Sequence, residues 1–130
     1  MTVMKFDIDI VKAILACVEE SDSYPDPIIH TLQQSQIKLL NPDVSRREIA
    51  YHLERMIEAG LIKGKTQKNR NDIMIAINAL TIEGHCFLEN ARCKGVWAKV
   101  KDKLHALNSF SLDIAKPLLV EYAQNAIFGT

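Results

Sequence analysis

Residues 44–64 read VSRREIAYHLERMIEAGLIKG, and the fold turns on how this stretch is read. Ser45 can cap the orphan amides of a first helical turn, and Glu48, three residues on, completes a capping box. A helix is therefore expected from Arg46, spanning residues 45–59 with its cap. Ile49, Leu53, Met56 and Ile57 recur at the spacing of one helix face, while Arg47, Glu48, Tyr51, Glu54, Arg55 and Glu58 fall on the other. One side of the helix is built to pack and the other to face outward. Gly60 stands where a left-handed C-cap is wanted, and Leu61-Ile62 follow at once as the start of an apolar strand.

Downstream, residues 61–65 and 73–80 read as two strands. In the second, Ile73, Ile75, Ile77 and Ala79 alternate with Met74, Ala76, Asn78 and Leu80, so the β-branched residues share a face. The connection, residues 66–72, is wholly polar and carries Lys68 and Arg70 at the expected hairpin tip. Upstream, Asp7 to Glu20 spaces Ile8, Val11, Ile14, Leu15 and Val18 as a first helix, with Asp7 and Asp9 at the positive end of its dipole. Between Ser21 and Asp43, Pro25 and Pro27 bracket an acidic turn. Residues 28–40 are expected as a further helix, with strand as the alternative, and Asn41-Pro42-Asp43 as its stop. Two consecutive helices followed by a charged hairpin predict an α+β fold, a winged helix-turn-helix in which residues 45–59 are the recognition helix and residues 65–72 the basic wing.

Thr81 with Glu83-Gly84 opens another helix, whose apolar side is Phe87, Leu88 and Ala91. After Gly95, Val96, Trp97, Val100, Leu104 and Leu107 keep helical spacing among Lys94, Lys99, Lys101 and Lys103, which read as solvent-facing charge. Ser111 can cap a last helix, residues 112–127, interrupted or kinked by Pro117 and apolar nearly all round. The chain is thus divided into a winged-helix domain, residues 1–93, and a C-terminal helical extension, residues 94–130. The sparse polarity of the last helix predicts a homodimer through residues 112–127; packing across the first helix of the same chain is the competing reading.

With 130 residues, 48% apolar and 25% charged, the composition is that of one soluble globular unit. Sixteen basic and sixteen acidic residues cancel, which removes the simplest argument for a nucleic-acid partner. The distribution is uneven. Residues 1–27 hold two lysines against six acids (net −4), residues 45–72 seven basic against four acidic (net +3), and residues 92–103 five basic against one acidic (net +4). Cys17, Cys86 and Cys93 form no C-x-x-C and read as small core residues, and the four histidines lack ligand spacing, so no metal site is expected. No apolar run approaches the roughly 20 residues that cross a bilayer, and acidic Asp7 and Asp9 replace the basic start of a signal peptide. A cytoplasmic location is the expectation.

Four stretches, FDIDIVKAIL, EIAYHLERMIEAGLI, LTIEGHCFLENAR and VWAKVKDKL, come in order from Phe6 to Leu104. Together they resemble an uncharacterised family of short winged-helix proteins common in bacteriophages and prophages. The resemblance implies the fold and carries no activity with it. The segment from Ser23 to Asp43 departs from the pattern in length and glutamine content.

No enzyme is expected. The isolated glycines build no phosphate loop, and neighbours on a helix point about 100° apart, so His85 and Cys86 do not meet in line. His52, at the edge of the apolar stripe, suits a packing hydrogen bond. The functional expectation is double-stranded DNA contact by Ser45, Arg46, Arg47, Tyr51 and Arg55 on the helix and by Lys65, Lys68 and Arg70 on the wing, since arginine reads guanine edges and cations hold phosphates. The competing reading is a solvated face, because Glu48, Glu54 and Glu58 alternate with the arginines at pairing distance, and Glu54 with Glu58 would repel phosphate. The alternative function is a winged-helix adaptor that binds another protein.

Overall fold

The computed structural model describes residues 6–21, 25–40, 43–107 and 111–128. Among these, five helices surround a small antiparallel sheet: α1 (Ile8–Glu20), β1 (Ile28–Thr31), α2 (Arg46–Glu58), β2 (Ile62–Lys68), β3 (Ile73–Leu80), α3 (Ile82–Ala91), α4 (Lys94–Ala106) and α5 (Leu112–Phe128). The strand order is β1-β3-β2, with both pairings antiparallel.

Local chemistry starts most of these elements. The Asp7 carboxylate caps α1 by accepting from Asp9 N–H at 2.9 Å. Ser45 Oγ accepts from Glu48 N–H at 3.1 Å while Glu48 Oε1 accepts from Ser45 N–H at 3.2 Å, the reciprocal pair expected for α2. Thr81 caps α3 through Gly84 N–H, and Ser111 Oγ accepts from Asp113 N–H at the start of α5. Gly60 has φ +78°, a conformation costly to any residue with a Cβ, and it turns the chain from α2 into β2.

The apolar stripes converge on one core. Val11, Ile14 and Leu15 of α1 meet Leu53 and Met56 of α2, Leu61, and Ile75 and Ile77 of β3, all fully buried. Phe87, Leu88 and Ala91 of α3 join it, as do Val96, Trp97, Val100 and Leu104 of α4. Charge ties the helices at the rim: Trp97 Nε1–H and Lys101 Nζ donate to the two Asp9 oxygens at 2.8 and 2.7 Å, linking α4 to α1.

Several expectations are corrected. Residues 28–40 are not a helix: Ile28–Thr31 is a strand, paired with β3 in the register Ile28 to Ile77 and His30 to Ile75. The polar run after Leu32 breaks any helical stripe, and the chain turns back on itself, with Thr31 N–H donating to Gln34 O and Gln36 N–H to Ile29 O. The stop placed at Asn41-Pro42 lies outside the described residues. Cys17 packs against the edge of the core, but the other two cysteines are not core residues. Cys86 and Cys93 are exposed and Cys17 is half-buried, because Gly84, Phe87, Leu88 and Ala91 take the inner side of α3 and Cys93 is the N-cap of α4.

Helix α5 is less apolar in effect than in composition. It runs through Pro117 and buries Leu112, Ala115, Leu119 and Ala123 within the chain, leaving Ile114 and Val120 exposed. Its main neighbours are α3 and α4, not α1, and its Lys116 reaches the end of α2. Leu107, assigned to the buried stripe of α4, is half exposed at the C-cap.

Candidate nucleic-acid interface

The outward stripe of α2 is Arg47, Tyr51, Glu54 and Glu58, at intervals of four, three and four residues. The β2–β3 hairpin stands beside it, and Asn69 N–H donates to Asp72 O at 2.9 Å, which narrows the loop to Arg70 and Asn71. Strand β2 therefore runs on to Lys68, three residues further than the sequence spacing indicates. That extension decides where each hairpin cation points. A Cβ on Gly64 would lie 3.4 Å from Ile57 Cδ1, so Gly64 faces α2, and strict alternation turns Thr66 and Lys68 to the same side. Lys65 and Gln67 face the opposite side of the sheet.

The eight residues expected to touch DNA thus separate. Arg47 and Arg70 are exposed and make no ion pair among the described residues. Arg46 is exposed but lies beside Thr31, Gln34 and Gln36 at the β1 turn. Ser45 is committed to the capping box. Tyr51 is half-buried, edge-on to His52 at 5.3 Å between ring centroids, with the Arg55 guanidinium over its ring. Arg55 pairs with Glu58 at 3.0 Å and Glu54 at 3.6 Å, next to the start of α5. Lys68 Nζ pairs with Glu54 at 3.2 Å. Lys65 lies on the far face of the sheet. A cationic N-terminal half of α2 and a charge-neutralised C-terminal half result.

Two buried histidines position this helix, and only one was anticipated. His52 Nε2 accepts from Asp7 N–H at 2.8 Å, so its Nδ1–H donates to Glu48 O at 2.6 Å. The Phe6 ring stacks on it. On β1, His30 Nε2–H donates to Arg46 O at 2.9 Å, and its Nδ1 faces Ser35 Oγ at 2.6 Å. Both imidazoles therefore grip carbonyls of the first turn of α2. The other end is held by α5, where Lys116 Nζ donates to Ala59 O and to Glu83 at 2.8 Å each. His30, lying between Ile29 and Thr31 with no helical stripe around it, shows its role only once β1 is a strand. Asp72 is also more than a turn residue, since its Oδ1 accepts from Ile73 and Leu32 N–H and joins the hairpin base to the β1 turn.

Burial holds the pKa of both histidines below the ordinary value near 6.5, against the opposing pull of the carbonyls they bond. The unfolded chain accordingly takes up protons first as pH falls through about 6.5. Stability is full above that pH and declines below it toward the folded-state values, with a slope of at most ~1.4 kcal/mol per pH unit for each histidine. Asp9 does not contribute in this window: although partial burial raises its pKa, the bonds from Lys101 and Trp97 outweigh it and hold the carboxyl below its usual range. Denaturation midpoints measured from pH 8 to pH 5 are expected to drop below pH 6.5 in the wild type and to drop less in His52→Gln. An equal drop in both would show that His52 is not the group responsible.

Over residues 5–111 the chain matches the family described as "Hypothetical protein (DUF2513)". The chain belongs to this family. It is also similar to an uncharacterised protein of Haemophilus influenzae, 29% identical over 79 residues, or 61% of this chain and 64% of that relative. The aligned part thus spans less than two thirds of the relative's length. No solved structure matches. The DUF2513 match takes in everything from α1 to the end of α4, including α2 and the hairpin, and stops one residue before α5 begins. The candidate interface therefore lies inside the family's shared stretch, whereas the α5 side of its support, Lys116, lies outside it.

Proposed function

We propose that this protein is a small regulatory protein that binds double-stranded DNA as a winged helix, with α2 as recognition helix and the β2–β3 hairpin as wing. The observation that carries the reading is the order α1-β1-α2-β2-β3 with sheet order β1-β3-β2, which sets a capped amphipathic helix beside a cation-tipped hairpin. Arg47 enters first, because residues near the N-terminus of a recognition helix reach base edges, and Arg70 supplies phosphate contact from the wing. Irregular chain over residues 37–40 stands where the first helix of the motif was expected.

Arg47→Ala is expected to weaken binding to a pool of random duplexes by on the order of tenfold at ~50 mM salt, and Arg70→Ala to lower the salt slope by about one unit. Fluorescence anisotropy titrations across several salt concentrations read both. Absence of binding by the wild type at ~50 mM, where the electrostatic contribution is strongest, would overturn the reading. The adaptor reading, favoured by the carboxylates Glu54 and Glu58 on the outward stripe, would then replace it. Self-association through α5 is a separate proposal, supported by exposed Ile114 and Val120, and a single-chain mass in light scattering at tens of micromolar would remove it.

A further inference from the structure

We infer that Glu54 is a latch on the DNA-binding surface: its carboxylate holds the wing cation Lys68 against α2, where a backbone phosphate oxygen would otherwise be received, and so limits affinity for duplex DNA. The inference rests on the DNA reading above and adds how that surface is restrained.

Glu54 lies in the middle of the outward stripe, yet its side chain is only 17% exposed, because Lys68 from β2 and Arg55 from α2 close over it at 3.2 and 3.6 Å. The two cations are not held alike. Arg55 has a second partner in Glu58 at 3.0 Å and a platform in the Tyr51 ring, so it stays in place without Glu54. Lys68, 65% exposed, has no other ion-pair partner among the described residues. It is therefore the cation that removal of Glu54 sets free. Its strand alternation already turns it toward α2 rather than away, so the freed ammonium stays on the α2 side of the hairpin whose tip carries Arg70. A bridge this exposed on one side is weak enough for a polyanion to compete with it, and the remaining carboxylate then repels the phosphate that displaced it.

The test uses the full chain and the random duplex pool, with wild type, Glu54→Gln, Lys68→Ala and the double variant titrated across salt. Glutamine keeps the size and shape of the side chain, and thermal melts confirm that each variant is folded. Glu54→Gln is expected to bind about three- to tenfold more tightly at ~100 mM salt, with a salt slope steeper by about 0.9 for one added phosphate contact. Lys68→Ala is expected to weaken wild-type binding modestly, because it leaves Glu54 facing phosphate with only Arg55 against it, and to abolish the gain in the Glu54→Gln background, so that the double variant binds no more tightly than wild type. Wild-type binding with no gain in Glu54→Gln would overturn the latch and leave the DNA reading standing. Weaker binding by Glu54→Gln would also overturn it and assign the carboxylate a base contact, such as accepting from a cytosine amino group. Failure of every variant to bind at ~50 mM would overturn both.

Discussion

Leu53→Ala is expected to cost ~2–5 kcal/mol of stability, the range for truncating a fully buried leucine where the surroundings relax only in part. Leu53 is wholly excluded from solvent and sits where α2 crosses α1, within the core that also holds Val11, Ile14, Leu15, Met56 and Ile75. These neighbours come from three separate elements, so no single one can shift to fill the void. Tyr51→Ala is the informative comparison. Tyr51 was placed on the free face by helical spacing, but it is half-buried against His52 and Arg55, so it is expected to cost ~1–2 kcal/mol rather than nothing. Urea titrations of both variants measure the difference. Equal losses would mean that α2 is rotated about its axis relative to the core, and the outward stripe would have to be redrawn with it.

Gly84→Ala is expected to destabilise by ~1–3 kcal/mol although it replaces a poor helix former with the best one. A Cβ at this position would stand 2.0 Å from Leu61 O, a backbone atom that cannot swing aside. The approach is this close because Leu61 O accepts from Thr81 N–H and Thr81 Oγ1 donates to Gly60 O, which clamps the end of α2 to the start of α3. Gly95→Ala is expected to have the opposite sign. Nothing lies within 4 Å of its added Cβ, so it should stabilise by a few tenths to about 1 kcal/mol. A thermal or denaturant comparison of the two checks the pair. Stabilisation by both would show that α3 does not approach Leu61 as closely as described.

The part of the fold legible from sequence was the part written in local spacing. The Ser45–Glu48 capping box, the Gly60 turn and the stripes of α1, α2, α3 and α4 involve residues within a few positions of one another, and each formed as the spacing indicates except at Leu107, the end of the α4 stripe. The hairpin was legible too, because β-branched alternation and a polar tip need no distant partner. Arg47 and Arg70 were readable in the same way as exposed cations, since each lies near the tip or start of an element and faces solvent.

What the sequence by itself determined about this protein is therefore its set of amphipathic elements and the side on which each carries its apolar residues. Only the tertiary structure decided what those elements meet. Residues 28–31 became a strand because β3 offers an edge some 45 positions away, a partner that no local pattern encodes. The same pairing buried His30, and the contact of α1 with α2 buried His52 against an amide 45 residues distant. In the β2–β3 hairpin, hydrogen bonding to β3 carried β2 on to Lys68, and alternation then sent Lys65 to the far face and Lys68 to Glu54. Side-chain spacing states which residues share a face, but the face each cation finds is set by pairing energies between segments that are far apart in the chain.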